Sequence, residues 1–322
     1  MYGKREGTLL KKLNAFKRRT NFPKWLHHFG PKKYISWEIF QLLILKERYH
    51  LSYRRTIEMA ELFMKKIPHF TTLQKFAKRI SASLLNMVLF FSAKLRKVEF
   101  ASVDATGISR QYASEHYKRR IDRKKPIKQA LKLSILSDCK TNQVLSLRTR
   151  AREKSHDTKD VRYLIKKAKV KPELITMDKG YDSEAIHGFC REQGIYSIIP
   201  ARKGCFRGKY RKQMRDCFDP WIYNHRNNGE STFSAIKIKY GDSVSSKLFI
   251  TQRVQIYCKA INHNLDMLKI YLFKTFSTSP FMLLLLLQNP LLDSNLALLI
   301  VLLQDCLYLI CKDLIFQLSL FL

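Results

Sequence analysis

Apolar positions recur at helical spacing in three stretches near the start of the chain: Ile35 to Leu45, Ile57 to Met64 and Leu73 to Ile80. Ile67-Pro68-His69-Phe70 interrupts the last two. Thr71 and Gln74 then form the S/T-x-x-Q pattern, whose side chains satisfy the first free amides of a helix. That helix sets Lys75, Lys78 and Arg79 on one side, opposite Leu73, Phe76 and Ile80. Leu84 to Leu95 reads as a further helix. Near Val98 the pattern changes to alternation. Val98 to Arg110 predicts a strand whose regular run ends at Asp104, with Thr106-Gly107 turning the chain. Gln129 to Cys139 and Gln143 to Ala151 predict two more strands, joined by a hairpin turn at Lys140-Thr141-Asn142. Asp157 to Lys169 is amphipathic, with Val161, Leu164, Ile165 and Ala168 on its apolar face. Leu174 to Met177 is a short strand ending at Asp178. Ser183 to Gln193 is a helix capped by Ser183 and stopped by Gly194, and Tyr196 to Pro200 is another strand. Leu248 to Tyr271 returns to helical spacing. Three strands in a meander, followed by alternating helices and strands, predict an α/β fold: a mixed sheet flanked by helices, preceded by an all-α region.

Charge narrows the choice of partners. The 322 residues hold 60 Lys and Arg against 26 Asp and Glu, a net charge of +34. Nucleic acid is the commonest polyanion to match it, and an anionic membrane surface is second. The basic residues are spread along the chain, which suits a folded protein meeting DNA over a long surface. Residues 1–97 carry 22 Lys and Arg against five Glu. With Lys75, Lys78 and Arg79 on one helix face, helix, short turn and basic helix resemble a helix-turn-helix DNA reader. The alternative is a helical subdomain that only packs on the core. Gln111 to Lys128, basic with Tyr112 and Tyr117 interleaved, would lie along a DNA backbone or simply be solvated. Seven scattered Cys with no CxxC pair argue against a disulfide framework and a zinc site, and fit a reducing cytoplasm. No apolar run follows the first charges, so no signal peptide is expected.

The chemistry centres on Tyr223 to Lys237, YNHRNNGESTFSAIK. Tyr223, Arg226, Glu230 and Lys237 stand at steps that return to one face of a helix. A carboxylate there can hold a divalent metal, and cations beside it can hold a phosphate. A solvated helix with an Arg226–Glu230 surface pair is the simpler alternative. Asn227-Asn228-Gly229 is a turn signal, so either the helix starts at Glu230 or it runs through a poor helix-forming triplet. Upstream, Asp104 and Asp178 each follow a strand, where a carboxylate can be aimed into a crevice. Two such carboxylates repel unless a cation lies between them. Asp182 reads as a turn or cap residue, and Trp221 as a core or interface residue more readily than as one stacking on a base.

The Tyr-x2-Arg-x3-Glu-x6-Lys spacing resembles the Y-R-E-K signature of insertion-sequence DDE transposases. Asp104-Ala105-Thr106-Gly107 and Asp178-Lys179-Gly180-Tyr181 resemble that family's first and second carboxylate motifs. The resemblance spans roughly residues 98–270. It implies a ribonuclease-H-like catalytic domain in which Asp104, Asp178 and Glu230 are the catalytic acids and bind two Mg²⁺ (or Mn²⁺) ions. It also implies that Arg226 and Lys237 hold DNA phosphates and that Tyr223 packs on or hydrogen-bonds to the strand being cut. The expected organisation is a helical DNA-binding region over 1–97, a catalytic domain over 98–275 and a hydrophobic tail over 276–322. The expected activity is metal-dependent cleavage at terminal inverted repeats of double-stranded DNA and transfer into target DNA, by a homodimer associated with the nucleoid. No small-molecule substrate is implied. A structure-specific nuclease of the same fold, a decayed copy that only binds DNA, and a membrane-associated basic protein are the rivals. The tail fuels the last two: residues 281–322 hold 18 Leu and four charges. A frameshifted reading, a helical hairpin buried in a dimer and membrane association are its three open explanations. Its longest uncharged run is too short to span a bilayer.

Overall fold

The computed structural model describes residues 13, 14, 17, 20–27, 32–93, 97–110, 130–151, 156–204 and 207–277, with side chains as far as Leu268. Gln111 to Lys128 and nearly all of the apolar tail lie outside the described residues. The chain divides into two compact units, Met1–Leu268 and Lys269–Leu322, and the elements of the fold lie in the first except for the end of the last helix.

Among the described residues, four helices with full bounds precede the sheet: α1 (Ser36–Arg48), α2 (Tyr53–Ala60), α3 (Phe70–Arg79) and α4 (Ala82–Ala93). The expected capping box at Thr71 does not form. Helix α3 starts two residues earlier, with His69 as its N-cap, so Thr71 is already inside the first turn and its hydroxyl meets His69 Nδ1 at 2.8 Å. Then follow β1 (Phe100–Arg110), β2 (Ala130–Asp138) and β3 (Val144–Arg150). The turn between β2 and β3 is held by Asp138, whose carboxylate accepts from the Thr141 amide at 2.9 Å, and Asn142 takes a positive φ of 54°. After α5 (Thr158–Lys167) come β4 (Leu174–Met177), α6 (Glu184–Glu192) and β5 (Tyr196–Ile198). Ser183 sits at the N-cap of α6 without making the cap bond, whereas Gly194, at φ 72°, ends the helix as its sequence position predicts. The rest is α7 (Lys209–Asp216), α8 (Pro220–Asn224), α9 (Asn227–Tyr240), β6 (Ser243–Val244) and α10 (Phe249–Ser277).

The strands lie in the order β3-β2-β1-β4-β5, with β6 beside the far end of β1. Strand β2 is antiparallel to β1 and β3, while β1, β4 and β5 are parallel. This is the ribonuclease-H-like arrangement. Strand β1 does not turn at Thr106-Gly107: β2 pairs with it as far as Ser109↔Ala130, so the ladder carries the chain straight through. Side chains alternate across the sheet. Ala101, Val103, Leu136 and Ile175 face a core completed by α5 and α6. Ile108, Leu131, Leu133 and Ile135 face the opposite core, which holds Phe233 and Ile236 of α9, Tyr257 and Ile261 of α10, and Phe40, Leu73 and Leu89 of the N-terminal helices. Helices α1 to α4 therefore share a core with the sheet. Buried Asn264 fastens that side, accepting from the Val144 amide at 2.7 Å and donating to Ser92 Oγ of α4 at 2.9 Å.

Candidate active site

The site begins in the register of two parallel strands. Val103 of β1 pairs with Met177 of β4, the last pair of that ladder. The next residues are Asp104 and Asp178, on backbones separated by about 4.8 Å, the spacing of neighbouring strands. Each carboxylate is fixed by a neighbouring amide: Asp104 Oδ1 accepts from Ala105 N at 2.8 Å, and Asp178 Oδ1 from Lys179 N at 2.7 Å. Asp178 caps a single 3₁₀ turn, Lys179–Tyr181. Asp104 is not at the end of β1, as its position before Thr106-Gly107 suggested. It is where β1 loses β4 as a neighbour while still paired to β2.

Alternation turns Ser102, Asp104 and Thr106 toward α9. Buried Gly229 lets that helix approach. A Cβ there would lie 2.3 Å from Ser102 Oγ and 3.1 Å from Ser102 Cβ. The Asn228 side chain also donates to the Cys139 carbonyl at 2.8 Å, pinning the start of α9 to the end of β2. These contacts bring Glu230 over the sheet. Arg226 Nη2 donates to Glu230 Oε1 at 2.6 Å, and its Nη1 is 3.8 Å from Asp104 Oδ2. Lys237, two turns along α9, donates from Nζ to Thr106 Oγ1 at 2.7 Å.

The four signature residues do not share one uninterrupted helix. Asp219 and Pro220 start α8, with the Asp219 carboxylate accepting from Trp221 N at 2.8 Å. The chain then passes His225 and Arg226 by i→i+3 bonds before α9 begins at Asn227. The Asn-Asn-Gly triplet thus opens the second helix, because Gly229 and Asn228 are where it meets the sheet. Tyr223 reaches the site from α8, with the Arg226 guanidinium 5.8 Å from its ring centroid and Phe218 packed at 5.3 Å.

Burial raises the Asp104 carboxyl above its ordinary value, and the charges of Glu230 and Asp178 add to the effect against the Ala105 amide and Arg226. Burial likewise raises the Tyr223 phenol. Among the described residues no three His, Cys, Asp or Glu side chains close round one point, and Arg226 lies between Asp104 and Glu230. The donors nevertheless suit a hard divalent cation. They are all carboxylate oxygens, two of them side by side on adjacent strands, and Asp104 is a desolvated anion that a cation would stabilise.

Asp182 does more than its sequence reading, and Trp221 departs from the core reading. Asp182 is the C-cap of the 3₁₀ turn, its amide donating to the Lys179 carbonyl at 3.2 Å, and its buried carboxylate also accepts from Arg211 Nε and Nη2 and from Arg202 N at 2.7–2.9 Å, tying the segment after β5 to the core. Trp221 is 67% exposed, so it is not a core residue, and it meets His225 edge-on at 4.9 Å. His225 in turn stacks on Phe100 at the start of β1. Lys75, Lys78 and Arg79 are exposed on α3. Lys75 and Arg79 line an open groove of about 600 Å³ with Lys32, Lys33 and Trp25, and among the described residues no carboxylate lines it.

Residues 97–265, more than half of the chain, match the family model described as Transposase DDE domain, and the chain belongs to that family. It is a DNA transposase. No curated protein matches it. Among solved structures it is similar to the cryo-EM structure of the piggyBac transposase synaptic complex with hairpin DNA, at 12% identity and TM-score 0.47, over 89% of this chain and 80% of that one. It is also similar to the Drosophila P element transposase strand transfer complex, at 11% identity and TM-score 0.28, over 81% and 71%. Among the described residues no helix is long and apolar enough to cross a membrane.

Proposed function

We propose that Asp104, Asp178 and Glu230 are the catalytic acids of this transposase and hold a pair of Mg²⁺ or Mn²⁺ ions. The supporting observation is the register that sets Asp104 and Asp178 side by side, with Glu230 joined to Asp104 through one guanidinium. Divalent cations held there supply Lewis-acid stabilisation of charge on a phosphate ester. The protein's own part is positioning. Backbone amides fix the two aspartates. Arg226 presents a planar fork suited to two phosphate oxygens, and Lys237, held by Thr106, adds a second positive charge beside the same strand. Tyr223 supplies an aromatic surface for the strand being cut.

The substrate in this reading is double-stranded DNA bearing the terminal inverted repeats of the element. Water attacks phosphorus, the bond to the 3′ oxygen breaks, and a 3′-hydroxyl and a 5′-phosphate result. That 3′-hydroxyl then attacks a target phosphate in line, forming the new diester and releasing the target's 3′-hydroxyl. Synapsis of two ends requires at least a dimer on DNA. Lys75, Lys78 and Arg79 would contact the backbone, and the net charge of +34 supports a polyanionic partner in the nucleoid. The test is incubation with Mg²⁺ and the inverted repeats that flank the gene, scoring cleavage and joining to plasmid. Both should occur, and both should vanish in Asp104→Asn. Cleavage without joining would favour a structure-specific nuclease; neither product, with binding retained, would favour a decayed copy.

A further inference from the structure

One planar guanidinium spans two of the three acids. Arg226 Nη2 is 2.6 Å from Glu230 Oε1, and Nη1 is 3.8 Å from Asp104 Oδ2. The side chain is 18% exposed, and its Nε is buried without a hydrogen-bond partner. The fork is therefore half used on its inner edge and committed to carboxylates on its outer one. A divalent cation needs the same carboxylate lone pairs. The guanidinium cannot shed its charge, so it can leave only by moving to another anion. The anion of this reaction is a phosphate, which matches the fork as well as a carboxylate does.

We propose that Arg226 and the divalent cation compete for Asp104 and Glu230, and that a DNA phosphate relieves the competition by drawing the guanidinium onto its own oxygens. The proposal rests on the reading of the three acids as metal ligands. Its consequence is coupling: DNA tightens the cation, and the cation tightens DNA by the same factor. The centre fills when substrate is in place, so metal loading itself discriminates between a bound DNA end and none. Lys237 has a different place in this scheme, because its ammonium is bonded to the Thr106 hydroxyl and not to an acid.

The experiment is a titration of the full chain with Mn²⁺ alone, without DNA, followed by electron paramagnetic resonance. Asp104→Asn, Arg226→Gln and Lys237→Gln are compared with wild type, and melting curves establish that each is folded. Arg226→Gln should tighten Mn²⁺ binding by about fivefold or more, the lower range of such couplings. Lys237→Gln removes one positive charge from the same helix and should tighten it far less. Unchanged or weaker binding in Arg226→Gln would overturn the proposal, as would equal tightening in both variants, which would mark a diffuse charge effect. If Arg226→Gln does not fold, Arg226→Lys replaces it; an ammonium lacks the fork that spans two acids, so an intermediate tightening is expected, and none would overturn the proposal. Asp104→Asn should abolish the strongest Mn²⁺ binding. If it does not, the metal-site reading itself fails, whatever Arg226 does.

Discussion

Gly229→Ala tests how α9 is held on the sheet. The new Cβ would lie 2.3 Å from Ser102 Oγ and 3.1 Å from Ser102 Cβ. Rotating the Ser102 hydroxyl away relieves the first contact but breaks its 3.1 Å hydrogen bond to Ser137 Oγ, inside a buried site. Rotation does nothing for the second contact, because a Cβ has no torsion to turn. Helix α9 must move outward by a few tenths of an ångström or more. Overpacking of this kind costs about 1–3 kcal/mol, plus about 1 kcal/mol for the lost hydrogen bond. Alanine returns about 1 kcal/mol through its better helix propensity. The net is a loss of about 1–3 kcal/mol, or a fall in Tm of about 2–10 °C for a chain of this size. Activity should fall further than stability, because Arg226 and Glu230 ride on the segment that moves. Melting curves and a cleavage assay below the melting range measure the two effects separately. Ser102→Ala in the same chain removes the Oγ clash and should recover part of the loss, so the two changes are non-additive. A Gly229→Ala variant as stable as wild type, or more so, would refute the close-packing argument, since propensity alone would then decide the outcome.

Asp266 of α10 binds Arg48, Lys239 and Tyr240, and these bonds outweigh burial to hold its carboxyl at about 2. A depressed carboxyl stabilises the fold above its unfolded value and loses that contribution as pH falls toward the folded one. Asp266→Asn should therefore cost about 2 kcal/mol at neutral pH and differ little from wild type near pH 2, as read by denaturant melts across pH. Asp182→Ala removes the acceptor of Arg211 and Arg202 and should expose residues 202–211 to limited proteolysis while β1 and β4 stay protected; unchanged cleavage there would show that other contacts hold the segment. Replacing Lys75, Lys78 and Arg79 together by Gln should make the slope of log K against log salt for duplex DNA shallower by about 2–3. An unchanged slope would remove α3 from the DNA surface.

The sequence was most legible where one residue type has one physical meaning. Alternation in β1 to β3 and the hairpin turn at Asn142 carried the sheet, whereas Asp104, read as following a strand, lies inside β1. Tyr223 to Lys237 is not a single helical face, because spacing carries no information about the break at His225-Arg226 that separates α8 from α9. The spacing still brought Arg226 and Glu230 together, since Arg226 is long enough to reach across the break. Gly229 looked like a turn residue for the same reason that it is a contact: it lacks a Cβ, and only the partner strand decides which use is made of that. The place of Asp182 in a turn was legible, but its carboxylate's partners were not, because they lie 20 and 29 residues further on. Paired charges distant along the chain leave no local pattern. The exposure of Trp221 and the stacking of His225 on Phe100 were equally beyond a one-dimensional reading.

The central claim is that Asp104, Asp178 and Glu230 act as one metal site. Each is replaced singly by Cys, and cleavage of the DNA flanking the gene is measured with Mg²⁺ and then with Mn²⁺, a cation more tolerant of sulfur. All three variants should fold and be inactive in Mg²⁺, and at least one should regain cleavage in Mn²⁺. A variant at any of the three positions that keeps the wild-type rate in Mg²⁺ would contradict the account.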